Sequence, residues 1–112
     1  MKVIDYLKLD RYSNDYARYP VICADGFTIS IQHSNVHHCS KEDNNFNFLE
    51  LGYPSRVCGS LMEYAENSDD PLETIYTYVP LELIEEIVKS HGGIIGYGWL
   101  FKPTIWVIKE EN

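Results

Sequence analysis

Between Val21 and Gln32 the chain alternates apolar and polar residues about an Asp25-Gly26 pair. Phe27, Ile29 and Ile31 fall on one side of an extended segment, and Thr28, Ser30 and Gln32 on the other, because successive strand side chains point to opposite faces. Asp-Gly favours the positive φ angles of a tight turn, so the pattern predicts a β-hairpin with one core face and one wet face. Phe46, Phe48 and Leu49-Glu50-Leu51 predict a third strand that stops at Gly52. The β-branched and aromatic run Glu73–Val79 predicts a fourth.

Helical spacing of apolar residues occurs in three places. Val3, Ile4 and Leu7 predict one or two turns near the N-terminus. Val57, Cys58, Leu61, Met62 and Ala65 form a stripe after Tyr53-Pro54-Ser55, with Ser55 as the expected N-cap. Gly59 weakens that helix by about 1 kcal/mol relative to Ala. The best-defined stripe is Leu83, Ile84, Ile87 and Val88, opposite Glu82, Glu85, Glu86 and Lys89; Pro80 opens it and His91-Gly92-Gly93 ends it. Polar stretches at 11–20, 33–47 and 67–71 read as loops. The aromatic, β-rich tail predicts one or two more strands, at Trp99-Leu100-Phe101 and Thr104–Ile108 around Lys102-Pro103.

The order β-β-β-α-β-α-β predicts an α+β fold over residues 1–112 as a single domain. Its expected architecture is a largely antiparallel sheet of four to six strands with two main helices packed on one face. The 112 residues and an apolar fraction of 45% suffice for a core and argue against intrinsic disorder. No apolar run approaches the roughly 20 residues of a membrane helix, and the charged N-terminus does not resemble a signal peptide. A cytoplasmic protein is therefore expected, with no membrane partner. Three widely spaced cysteines, Cys23, Cys39 and Cys58, fit free thiols better than a disulfide scaffold.

The net charge is −8 and unevenly placed. Residues 57–88 contain Glu63, Glu66, Asp69, Asp70, Glu73, Glu82, Glu85 and Glu86 with no Lys or Arg. A chain of this kind lacks the clustered cations that phosphate backbones require, so direct nucleic-acid binding is not expected. If the eight acids share a surface, they would suit a basic groove on another protein, presenting charge where phosphates would lie. Solvated helix faces that merely aid solubility have the same composition.

Other residues carry chemistry only weakly. His33, His37, His38 and Cys39 have metal-ligating side chains, but the H-x3-H-H-C spacing matches no zinc pattern, and no metal or other cofactor is expected. No base or oxyanion site accompanies Cys39 or Cys58, and no carboxylate pair reads as a buried acid–base couple, so an enzyme is not expected. Thr28, Ser30, Gln32 and Ser34 on the wet strand face, with Arg18, Arg56 and the tyrosines, would suit a small polar ligand such as a nucleotide. Trp99, Phe101 and Trp106 offer an aromatic patch for a homodimer through the C-terminal segment.

Asp25-Gly26-Phe27 leading into Ser30-Ile31-Gln32, His37-His38-Cys39-Ser40, Leu51-Gly52-Tyr53-Pro54-Ser55, Tyr64-Ala65-Glu66, Thr74–Pro80 and His91-Gly92-Gly93 occur in that order across residues 25–93. In this the chain resembles a family of short proteins encoded by bacteriophages and prophages. The resemblance carries over no catalytic residue. It implies a phage accessory protein, a class in which small acidic members often inhibit host defence, anti-CRISPR proteins among them. The expectation is thus a non-enzymatic inhibitor that binds a host protein with a basic surface. A nucleotide-sequestering protein and a phage structural or oligomeric protein are the alternatives.

Overall fold

A computed structural model describes residues 1–99 of the chain. The element order is α1 (Val3–Leu9), β1 (Val21–Cys23), β2 (Thr28–Gln32), β3 (Phe48–Gly52), a 3-10 helix (Gly59–Tyr64), β4 (Ile75–Pro80), α2 (Leu81–Ser90) and β5 (Ile94–Tyr97). The strands form one five-stranded sheet in the order β4-β3-β2-β1-β5. Every pairing is antiparallel. β4, β2 and β5 therefore run one way, and β3 and β1 the other. One end of the sheet holds the β1–β2 turn, the end of β3 and the starts of β4 and β5. The opposite end holds the start of β1, the end of β2 and the exit of β4 into α2.

The fold is α+β as the pattern predicts, and the alternation explains why. Val21, Cys23, Ile29, Ile31, Leu49 and Leu51 form one buried cluster with Val3, Tyr6 and Leu7 of α1 and Ile84, Ile87 and Val88 of α2. Removing these side chains from water is the dominant favourable term in folding, at about 25 cal/mol per Å² of apolar surface. The hairpin forms around Asp25 and Gly26. The Asp25 carboxylate accepts from the Phe27 N–H at 3.0 Å, and Gly26 takes φ 93°. α2 closes on this turn: the Ala24 N–H donates to the Gly93 carbonyl and the Asp25 N–H to the His91 carbonyl. No described helix is long and apolar enough to cross a membrane.

Two expectations need correction. The Val57–Ala65 stripe is a six-residue 3-10 helix beginning at Gly59, not an α-helix. Ser55 does not cap it. Ser55 instead bonds the Thr28 backbone in both directions, its N–H to the carbonyl and its Oγ from the N–H, each at 2.9 Å. With its intended cap committed to β2 and glycine at its first position, the segment gains only one tight turn and a bridge from Ala65 to Tyr76 of β4. A further strand lies at Ile94–Tyr97; of the expected strand Trp99-Leu100-Phe101 only Trp99 is among the described residues. Leu100, Phe101 and the expected strand Thr104–Ile108 lie outside the described residues.

The face carrying Gln32 is wet only in part, since Thr28 and Ser30 are half-buried and Gln32 is buried. Gln32 and Glu50 are cross-strand partners and both are buried. The 33–47 segment closes over them, with the His38 N–H donating to Glu50 Oε1 at 2.8 Å.

Candidate functional site

The acidic segment wraps the free edge of β4. The Glu66 N–H donates to the Ile75 carbonyl, and the Asn67 N–H donates to Thr74 Oγ1 at 3.0 Å. The Tyr76 hydroxyl donates to the Pro71 carbonyl at 2.5 Å. These bonds fix the 66–74 loop at the turn end of the sheet, where β4 begins. Glu63, Glu66, Asp69, Asp70 and Glu73 are all exposed there. Tyr53, Val57 and Leu72, three large apolar side chains left in solvent, belong to the same end. Tyr53 is tied in directly, its N–H donating to the Thr74 carbonyl at 3.1 Å.

The other three acids part from this group. Glu82 and Glu86 are exposed on α2, which starts beyond the opposite end of β4. Six strand residues separate the two groups by roughly 16–20 Å. Glu85 is not a surface charge. Its two carboxylate oxygens accept from the Val3 and Ile4 N–H groups, at 2.8 and 3.0 Å, so it caps α1 from α2. The N-cap residue of α1, Lys2, offers no side-chain bond of its own. Among the described residues the ion pairs are Arg18–Asp10, Arg56–Asp25 and His91–Asp25, and none engages the acids of residues 57–88.

Ser30, Gln32 and Arg56 do not come together. The Gln32 amide pairs with the Arg18 backbone as a strand would, accepting from its N–H at 2.7 Å and donating to its carbonyl at 2.9 Å. The second Nε2 hydrogen goes to Ser30 Oγ at 2.8 Å. Arg56 lies at the turn end of the sheet, bonded to Asp25. The nearby Asp25 carboxylate is held below the usual carboxylate range by the His91 hydrogen bond, then by the Phe27 N–H.

The histidines also serve structure. His37 Nδ1 meets Ser34 Oγ at 2.6 Å, and Cys39 is buried with its thiol on the Ser34 carbonyl. Burial lowers the affinity of both His33 and His37 for a proton. Burial likewise pushes the Cys23 thiol up to about 11, which leaves it a poor nucleophile. No group of three or more His, Cys, Asp or Glu among the described residues is placed to hold a metal ion. Trp99 packs edge-on against Tyr19, with ring centroids 6.3 Å apart, while Phe101 and Trp106 lie outside the described residues.

A cleft of about 1160 Å³ opens at the opposite end of the sheet, between α1, the 10–18 segment and the 33–46 segment. Arg18 and His33 sit in its wall and are 3% and 7% exposed. The Arg18 guanidinium lies 4.8 Å from the Tyr12 ring centre. Its Nη1 donates to the His33 carbonyl, and its Nη2 to the Leu7 carbonyl at the end of α1 and to Asp10 Oδ1 at 3.2 Å. Arg18 Nε and His33 Nε2 are buried with no hydrogen-bond partner among the described residues. The sequence reading joins Arg18, Ser34 and the tyrosines to Thr28, Ser30, Gln32 and Arg56 in one polar pocket; Arg18, Ser34, Tyr12 and Tyr16 line this cleft, whereas Thr28, Ser30, Gln32 and Arg56 do not, and the remaining walls come from segments that look like plain loops. No known family model, no curated protein and no solved structure matches this chain.

Proposed function

We propose that the chain is a non-enzymatic phage accessory protein that binds and inhibits a host protein, of the anti-defence, anti-CRISPR-like kind. It would do so by laying the β4 edge on a basic, nucleic-acid-handling surface. The observation that carries this reading is the company the acids keep. Five carboxylates without ion pairs among the described residues stand at one end of the sheet with Tyr53, Val57 and Leu72 exposed beside them. Interfaces combine apolar anchors that supply affinity with charges that steer the encounter and select the partner. The resemblance to short phage proteins supplies the setting.

The test is capture from bacterial lysate by the wild-type protein and by an Asp69→Lys/Asp70→Lys double variant, at low and high salt. The wild type should retain a partner at low salt and lose it as screening shortens to a few ångströms near 1 M. The double variant should fail at both. Equal capture of the same partner by the double variant would overturn the reading.

A further inference from the structure

The side-on edge of an arginine guanidinium is formed by Nε and Nη2, whose N–H bonds point the same way and match the two oxygens of a carboxylate or phosphate. In Arg18 that fork is used on one prong only. Nη2 reaches the Leu7 carbonyl and Asp10 Oδ1, while Nε–H meets no group among the described residues. A buried cation with an unmade hydrogen bond is costly, and the cost falls when an anion takes both prongs. The carboxylate already present is held at the surface by long contacts. The Asp10 side chain is 67% exposed, and its Oδ1 accepts from Arg18 Nη2 at 3.2 Å and from the Tyr12 hydroxyl at 3.3 Å; its residue sits at the left-handed end of α1 with φ 54°.

We propose that the cleft beside Arg18 binds the oxyanion of a small molecule, a carboxylate or a phosphate, which displaces the Asp10 side chain and occupies the Nε–Nη2 fork. The charges of the lining cancel, Lys8, Arg18 and Lys41 against Asp10, Asp15 and Asp43, so no net field favours an anion. Selection therefore rests on the buried guanidinium, with the unpartnered His33 nitrogen as a second polar contact in the same wall. The rings of Tyr12, Tyr16 and Phe46 line the cleft and give the rest of such a molecule an apolar surface to rest on. Opening the fork requires Asp10 to leave Nη2 and the Tyr12 hydroxyl and the groups that cover Nε to give way, side-chain rearrangements of a kind common on binding.

Asp10 is on this account a built-in competitor, which gives the test a sign. Inorganic phosphate and benzoate are titrated separately into the full chain and followed by amide chemical shifts. Saturable shifts at Arg18, His33 and Tyr12 with either probe support the site, and the probe that saturates names the oxyanion. No saturation by either probe up to about 10 mM overturns it, since that limit corresponds to barely measurable affinity. Asp10→Asn tolerates the left-handed backbone and removes the competing charge. It should tighten binding by about threefold or more, as expected when one charged hydrogen-bond partner is withdrawn from competition. Unchanged or weaker binding in Asp10→Asn overturns the proposal even if Arg18→Lys proves unable to fold. A folded Arg18→Lys variant keeps the charge without the fork and should bind about tenfold more weakly.

Discussion

The Glu85 carboxylate accepts from two backbone N–H groups of α1, whereas Glu86 beside it faces solvent. The two look alike in sequence, since both lie outside the apolar stripe of α2, and only the packing of α1 separates their roles. Glu85→Ala should cost about 1 kcal/mol, the usual loss for a missing helix cap, and should leave partner capture unchanged. Urea midpoints of the Glu85 and Glu86 alanine variants, measured side by side, check this. Gln32 was misplaced for a related reason. Alternation puts it on the face opposite Ile31, but its amide holds the Arg18 backbone there. Gln32→Ala leaves a buried donor and acceptor unmatched, and the midpoint should fall by the equivalent of about 2–4 kcal/mol. Acid acts on separate residues in separate windows. Burial holds His33 and His37 below the ordinary histidine value, so the unfolded chain takes up protons first. Stability should then fall as pH drops below about 6.5, and His33→Gln should flatten that slope. The depressed Asp25 carboxyl contributes stability above the usual carboxylate range and loses it below about pH 4, so Asp25→Asn should flatten the lower limb.

Among the elements, the hairpin and α2 were the most legible, because each is specified by neighbours in sequence: Asp25-Gly26 between alternating arms, and an apolar stripe bounded by Pro80 and Gly92-Gly93. The Val57–Ala65 stripe misled because helical spacing does not reveal that Ser55 is already bonded to Thr28, 27 residues away. Two glycines separate local from tertiary constraint. A Cβ on Gly92 would stand 2.7 Å from the Ala24 Cβ, at φ 92°, where α2 closes on the hairpin turn. Gly92→Ala should therefore destabilise by more than about 1 kcal/mol. Gly59 has open space around it and no such backbone demand, so Gly59→Ala should leave stability unchanged or raise it by about 0.4–1 kcal/mol. Thermal midpoints should fall for Gly92→Ala and hold or rise for Gly59→Ala.

Across the whole molecule, the uneven charge was readable from composition, and its geometry was not. The eight acids divide into a group of five at the β4 edge, two on α2 and one helix cap. The cleft was legible only in part: Arg18, Ser34 and the tyrosines read as pocket residues, but its walls form because antiparallel pairing brings the 10–18 and 33–46 segments to the same end of the sheet. A partner docked on the β4 edge and an oxyanion held by Arg18 would stand at opposite ends of the strands. Neither occupant would obstruct the other, so the protein could be tethered to a sensor chip through one extremity while ligands are delivered to the far one. Saturating phosphate should leave macromolecular capture untouched, and any interference between the two would have to pass along the strands themselves.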